Sequence, residues 1–164
     1  MKKYVLSADI GKYETEITGR DLEGTKEDIK TVALRTKMYN LSNGYIEVEG
    51  DSYVVEFNGE EFIVGEQGQN KSDDTTKTQF LHQLACYTAI TKFLEAGSKD
   101  NKIFMTLACP LSVLSIQEAK EEYKNFIKGD GPINLKVDGE EYEFTIEDIT
   151  IKAEGAGIMY LEPG

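Results

Sequence analysis

The sequence predicts an α/β domain: a mixed sheet with flanking helices. Three observations carry that expectation. Short β-like runs recur from the N-terminus to Val64, with turn residues between them. From about Thr76 to Ala96 the apolar residues take up helical spacing. Asn101 to Ala108 is then a nearly continuous apolar run, which suits a strand buried on both faces. A strand that follows a helix is most simply joined to the sheet by a β–α–β crossover.

The chain opens on Tyr4 to Arg20, which reads as a strand, a tight turn and a strand returning beside it. Val5, Leu6 and Ala8 supply the first apolar run; Thr15, Ile17 and Thr18 start the second. Asp9 stands at the tip and Gly11 follows in the turn. A glycine there lets backbone amides approach a ligand, and a carboxylate at a strand tip can orient a hydrated magnesium ion. Taken alone, Asp-x-Gly after a strand is an ordinary hairpin turn.

Leu22 to Asp28 reads as a turn around Gly24, and Ile29 to Asn40 as one strand or two. Asn43-Gly44 signals a hairpin, with Tyr45, Ile46 and Val48 returning toward Gly50-Asp51. Tyr53 to Phe57 and Phe62 to Val64 form another hairpin around Asn58-Gly59. Gly65 to Asp74 is a loop, with Asp74 or Thr75 capping the long helix. In that helix Phe80, Leu84, Tyr87, Ile90 and Leu94 fall on one stripe, and Gly97 ends it. After Cys109-Pro110, Ser115 caps a second helix from Ile116 to Lys128, with Glu118 completing a capping box. Gly129 to Pro132 breaks the chain, a hairpin turns at Asp138-Gly139, and Ile149 to Ala153 is a last strand. Glu154-Gly155-Ala156-Gly157 then opens a helix.

The net charge of −12 argues against direct binding to nucleic-acid backbones and against anionic membrane surfaces. Basic Met1-Lys2-Lys3 is followed too soon by Asp9 for a signal peptide, and no stretch has the apolar length of a membrane span, so cytoplasm is the expected compartment. Cys86 and Cys109 lie in apolar segments and read as core residues. His82 and Cys86 can share a helix face, but two ligands do not make a zinc site.

Read together, Asp9-Ile10-Gly11, Gly65-Glu66, Lys77-Thr78, Ala108-Cys109-Pro110-Leu111 and Glu154-Gly155-Ala156-Gly157 resemble, in order and spacing, the first domain of the bacterial actin-like ATPases that segregate plasmids, the ParM-like group. The resemblance covers nearly the whole chain. It implies an actin-like ATPase domain with a ribonuclease H-like core, residues 1–164 being the N-terminal domain, and a β-rich small subdomain near 29–64. It implies ATP or GTP with magnesium as cofactor. Asp9 to Thr15 is then the first phosphate loop: Gly11, Lys12, Tyr13 and Thr15 face the phosphates, and Asp9 faces the metal through water. Glu154 is implied as the catalytic carboxylate that positions water, with Gly155 close to the phosphates. Implied partners are further copies in a filament and a DNA-binding adaptor protein, with neither DNA nor membrane bound directly.

Two features depart from that pattern. Related loops carry a lysine seven residues after the aspartate, where this chain has Glu16. No second Asp-x-Gly loop or glycine-rich adenosine segment follows before Glu162-Pro163-Gly164, so a second nucleotide-binding domain is expected to be absent and this polypeptide alone to bind nucleotide weakly and hydrolyse it negligibly. Two other functions stay open on the sequence: a small-molecule kinase of the same superfamily, and a non-catalytic interaction domain that keeps the fold.

Overall fold

Leu6, Ala8 and Ile10 alternate with Val5, Ser7 and Asp9, and that alternation decides which face of the first strand meets the core. The structure is a computed structural model describing residues 1–68, 70–71 and 80–153. In it β1 (Lys2–Ile10) buries the first set and leaves the second half-buried or exposed. The expected hairpin forms: β2 (Glu14–Asp21) returns antiparallel to β1, and β3 (Lys30–Arg35) pairs antiparallel with β2. The hairpin packs closely because Gly19 lies opposite Leu6. A Cβ there would fall 2.3 Å from the Val5 carbonyl oxygen and 2.5 Å from Leu6 Cδ2.

The chain continues through β4 (Lys37–Asn40), β5 (Ser52–Phe57), β6 (Glu60–Gly65) and β7 (Asn70–Lys71). Then come α1 (Phe80–Thr91), β8 (Asn101–Cys109), the short α2 (Leu111–Leu114), α3 (Gln117–Lys128), β9 (Ile133–Val137) and β10 (Glu140–Ala153). All the described strands join one ten-stranded sheet in the order β3-β2-β1-β8-β10-β9-β5-β6-β4-β7. β8 runs parallel to both β1 and β10, as the crossover requires, and the other pairings are antiparallel, so the sheet is mixed as expected.

A single residue, Thr36, separates β3 at one end of that order from β4 near the other. The sheet must therefore curl until its two ends approach, and α1 fills the curl. The helix touches β1, β2 and β3 on one side and β4 and β6 on the other. This accounts for the main departure from the expected stripe. α1 is buried nearly all round, including the polar His82, Thr88 and Thr91 as well as Leu84 and Ile90. A helix enclosed in this way must satisfy its polar side chains internally. Thr88 Oγ1 donates to the Leu84 carbonyl at 2.8 Å, and Thr91 Oγ1 to that of Thr88 at 2.6 Å.

Aromatic contacts close the core. Phe80 stacks on Phe57 at 6.2 Å between ring centres and meets Phe62 at 5.4 Å; Tyr87 sets its edge against Phe57 and Phe144. The Tyr87 hydroxyl donates to the Ile127 carbonyl at 2.7 Å, tying α1 to α3. Both long helices therefore pack on the same face of the strands that carry Leu6, Ile103 and Phe144.

Four local expectations need correction. Residues 44–51 form no strand, and Asn43-Gly44 closes a turn of 3-10 helix instead of a hairpin. β4 already pairs with β6 and β7, so no sheet edge is left for this segment. The Gln67 amide holds it in place of a strand: it donates to the Glu47 carbonyl at 2.9 Å and accepts from the Glu49 N–H at 2.6 Å. The regular α-helix ends at Thr91 and continues to Leu94 only as tighter turns, because the chain must reach Gly97, whose N–H pairs with the Glu141 carbonyl at 2.8 Å. Ser115 is not the cap of α3: it lies in helical backbone closing α2, and Ile116 is the capping residue, with no side-chain bond. Finally, the second strand of the last hairpin and the final strand are one element, β10, with an irregularity between Ile146 and Asp148. The expected cap at Asp74 or Thr75, Lys77-Thr78 and the helix opened by Glu154 lie outside the described residues.

Candidate functional site

Parallel strands that end at one level gather their following loops into one crevice, and in open α/β sheets that is where ligands bind. Here Ala8 is level with Leu107, and Ala153 with Cys109, so β1, β8 and β10 finish side by side. The turn after Ile10 and the Pro110-Leu111 segment therefore leave from one edge of the sheet, where β10 also ends at Ala153. Three large apolar side chains stand exposed on the connections there: Tyr13, Leu111 and Ile116.

The turn Gly11–Tyr13 is built tightly. The Gly11 N–H donates to the Glu14 carbonyl at 2.9 Å. A Cβ on Gly11 would lie 2.8 Å from that same oxygen, which is why the position takes glycine. The Gly11 donor is thus spent inside the turn. The amides of Lys12 and Tyr13 donate to no carbonyl or side chain among the described residues. Two adjacent N–H groups with no partner among the described residues are thus left as donors at an exposed turn.

The turn is buttressed from behind. Thr15 is buried, and its hydroxyl pairs with that of Thr36 at 2.9 Å. The Tyr13 carbonyl accepts from the Thr36 N–H at 2.9 Å and from Arg35 Nε at 3.1 Å. The residue linking the two ends of the curled sheet is therefore fastened directly to this turn. Thr15 points its side chain into the core, and its backbone lies in the ladders with β1 and β3, so it shapes the turn from behind.

Asp9 is exposed on the opposite face of the hairpin from Ala8 and Ile10, and no group among the described residues bonds to its carboxylate. The residue directly across from it in register is Glu16. Two carboxylates thus face the same space. On that face Glu14 and Arg35 are also paired in register, and Lys152 lies two strands from Asp9 beside Ala108. Sequence reasoning noticed the reversed charge at position 16 but missed Arg35, because the partnering of β3 with β2 is a tertiary fact. Glu154 and Gly155 follow Ala153 directly in sequence and lie outside the described residues.

His82 and Cys86 are both buried in α1, and burial pushes the Cys86 thiol up to about 12. Among the described residues no group of three or more His, Cys, Asp or Glu side chains gathers as a metal cage. Nor is any described helix long and apolar enough to cross a membrane.

Comparison with known proteins bears on this geometry. The family model for the N-terminal domain of actin-like proteins matches residues 7–157. Among solved structures, the Alp12 filament is 52% identical over the whole of this chain and 50% of its own, with a TM-score of 0.70. The AlfA filament from a B. subtilis plasmid, pLS32, is 21% identical over all of this chain and 60% of its own, with a TM-score of 0.67. A separate AlfA filament was solved bound to AMPPNP. The apo pSK41 ParM protein is 12% identical over 93% of this chain and 50% of its own, with a TM-score of 0.68. The chain spans about half the length of these solved relatives. No curated protein sequence matches it.

Proposed function

Because this chain belongs to the actin-like proteins and matches their N-terminal domain, we propose that it forms one wall of a nucleotide cleft in a filament-forming, plasmid-segregating actin homologue. The observation that carries this reading is the turn at the carboxyl end of β1. Among the described residues the amides of Lys12 and Tyr13 have no partner, and neither has the carboxylate of Asp9 at the end of the strand that leads into the turn. That donor set fits a phosphate with a hydrated magnesium ion: amides for the phosphate oxygens and a carboxylate for the metal's water shell. AlfA, which shares the fold, was solved as a filament with AMPPNP. Whether ATP or GTP is the natural ligand is a matter for the base-binding side of the cleft.

In this reading residues 1–164 are the first domain, and a second domain supplies the other wall. The exposed Tyr13, Leu111 and Ile116 are the kind of apolar rim that a second wall would cover. The β-rich region near 29–64 belongs to a smaller lobe that makes filament contacts. Lys12 assists the turn amides, Gly11 and the buried Thr15 shape the turn that presents them, Gly155 completes the cradle, and Glu154 orients water for hydrolysis. Bound nucleotide and magnesium supply the phosphoryl group and its charge neutralisation; the chain's own residues position and bind. Partners are further copies of the chain and a DNA-binding adaptor protein in the cytoplasm, consistent with a net charge of −12. One observation favours a second reading, a non-catalytic domain that keeps the fold: Glu16 faces Asp9, where a polyphosphate would meet it.

Calorimetric titration of the chain with Mg·ADP, beside Asp9→Asn and beside a form extended into a second domain, separates the two. The cleft reading expects weak binding that tightens on extension and loses its magnesium dependence in Asp9→Asn. No binding by either form would hand the chain to the interaction-domain reading.

A further inference from the structure

We propose that Arg35 is the cation that holds a polyphosphate on this turn, taking the part that an acidic position 16 leaves unfilled; the proposal rests on the cleft reading above. The exposed end of the hairpin carries Asp9, Glu14 and Glu16 on one face. A ligand bearing several negative charges can settle there only if cations of the chain offset those carboxylates.

Three basic residues stand near that face: Lys12 in the turn, Lys152 on β10, and Arg35 on β3. Arg35 is tied to the turn itself by a side-chain bond. Its Nε donates to the Tyr13 carbonyl at 3.1 Å, while the remaining guanidinium N–H groups meet no acceptor among the described residues. Its register partner, Glu14, forms no ion pair among the described residues. The Tyr13 carbonyl that anchors Arg35 belongs to the same residue whose N–H is unpaired. One end of the fork thus grips the loop through its carbonyl side, and the residue is exposed, so the other end is open to a ligand at the turn. A planar guanidinium offers paired donors matched to phosphate oxygens and cannot lose its charge at any working pH. The tether reduces the side-chain freedom that would otherwise be lost on binding.

The test is titration of the full chain with Mg·ADP and with inorganic tripolyphosphate. The variants are Arg35→Ala, Lys152→Ala, Glu16→Lys and the double variant Arg35→Ala/Glu16→Lys. Arg35→Ala should weaken both ligands about tenfold or more, as loss of a charge-assisted contact does. Glu16→Lys should restore most of that affinity in the Arg35→Ala background. That rescue is the informative arm, since a lysine at position 16 cannot rebuild the bond to the Tyr13 carbonyl. The turn keeps its bond from the Thr36 N–H in every variant. Unchanged affinity in Arg35→Ala overturns the proposal while leaving the cleft reading standing. So does a loss confined to Lys152→Ala, which would assign the role to β10. If the unmodified chain binds neither ligand even when extended into a second domain, the cleft reading fails and takes this proposal with it.

Discussion

The bond between Thr15 and Thr36 is the point where the sheet's two ends are pinned behind the turn, and its strength can be measured. Both residues are fully buried, and each hydroxyl has the other as its side-chain partner at 2.9 Å. Valine has nearly the shape of threonine, so Thr36→Val removes the hydroxyl and leaves the packing almost unchanged. The Thr15 hydroxyl is then buried with no partner. Such an orphan costs about 1 to 3 kcal/mol, more than the net worth of the bond itself. Thr15→Val should cost a similar amount for the mirrored reason. Thr15→Val/Thr36→Val leaves no orphan at all, since two apolar groups of the right shape replace two polar ones, and that exchange is close to neutral. The double variant should therefore be less destabilised than the sum of the singles by about 1 to 3 kcal/mol, the range expected for residues in direct contact. Urea unfolding followed by circular dichroism measures all four corners of the cycle, provided that the slope with denaturant stays constant. Costs that simply add would refute the argument, because they would mean that neither hydroxyl depends on the other.

Two further outcomes follow from the core. Cys86 should make the fold labile in alkali. Its thiol is held up at about 12 by burial, against an ordinary value of 9.0, so the unfolded chain gives up this proton first as the pH rises. The stability contributed by the protonated thiol is fully present below about pH 9 and lost as the pH climbs toward about 12. Melting curves at stepped pH should show that decline, and Cys86→Ala should flatten part of it; an unchanged slope would show that the thiol carries none of the effect. Gly19→Ala should destabilise by about 1 to 3 kcal/mol or more, because its Cβ would strike the Val5 carbonyl at 2.3 Å, and backbone cannot swing aside as a side-chain tip can. A melting temperature equal to that of the unmodified chain would refute this.

The elements that the sequence showed clearly are those decided by local chemistry. The opening hairpin follows from apolar alternation and Gly11, and the Asn58-Gly59 turn from residues that tolerate positive φ, here +52° and +80°. β8 stood out because it is the central parallel strand and its second half, Met105 to Cys109, is buried on both faces, which favours apolar residues at consecutive positions; nearer its start Phe104 is exposed. What stayed hidden depended on partners far away in the chain. Tyr45 to Val48 has strand composition, yet the edges it needed were taken, and Gln67 holds the backbone instead. α1 reads as one apolar stripe, yet a curled sheet encloses it, because Thr36 alone bridges β3 and β4.

The same bridge explains why the candidate site was only half legible. Asp9, Gly11 and Lys12 belong to a local motif, so their grouping was visible. Arg35 and Thr36 lie more than twenty residues beyond the turn in sequence, and both donate to the Tyr13 carbonyl. That contact couples two structural consequences. A ligand drawing on the Tyr13 amide and on Arg35 bears on the connection that sets how β4 and its neighbours sit against β3. Any shift of the turn must pass through Thr36, a buried residue with no slack: its N–H and hydroxyl are both engaged. The Gly11–Tyr13 turn and the link between the two ends of the sheet are therefore one mechanical unit, and a change that loosens Thr36 should be felt at Arg35.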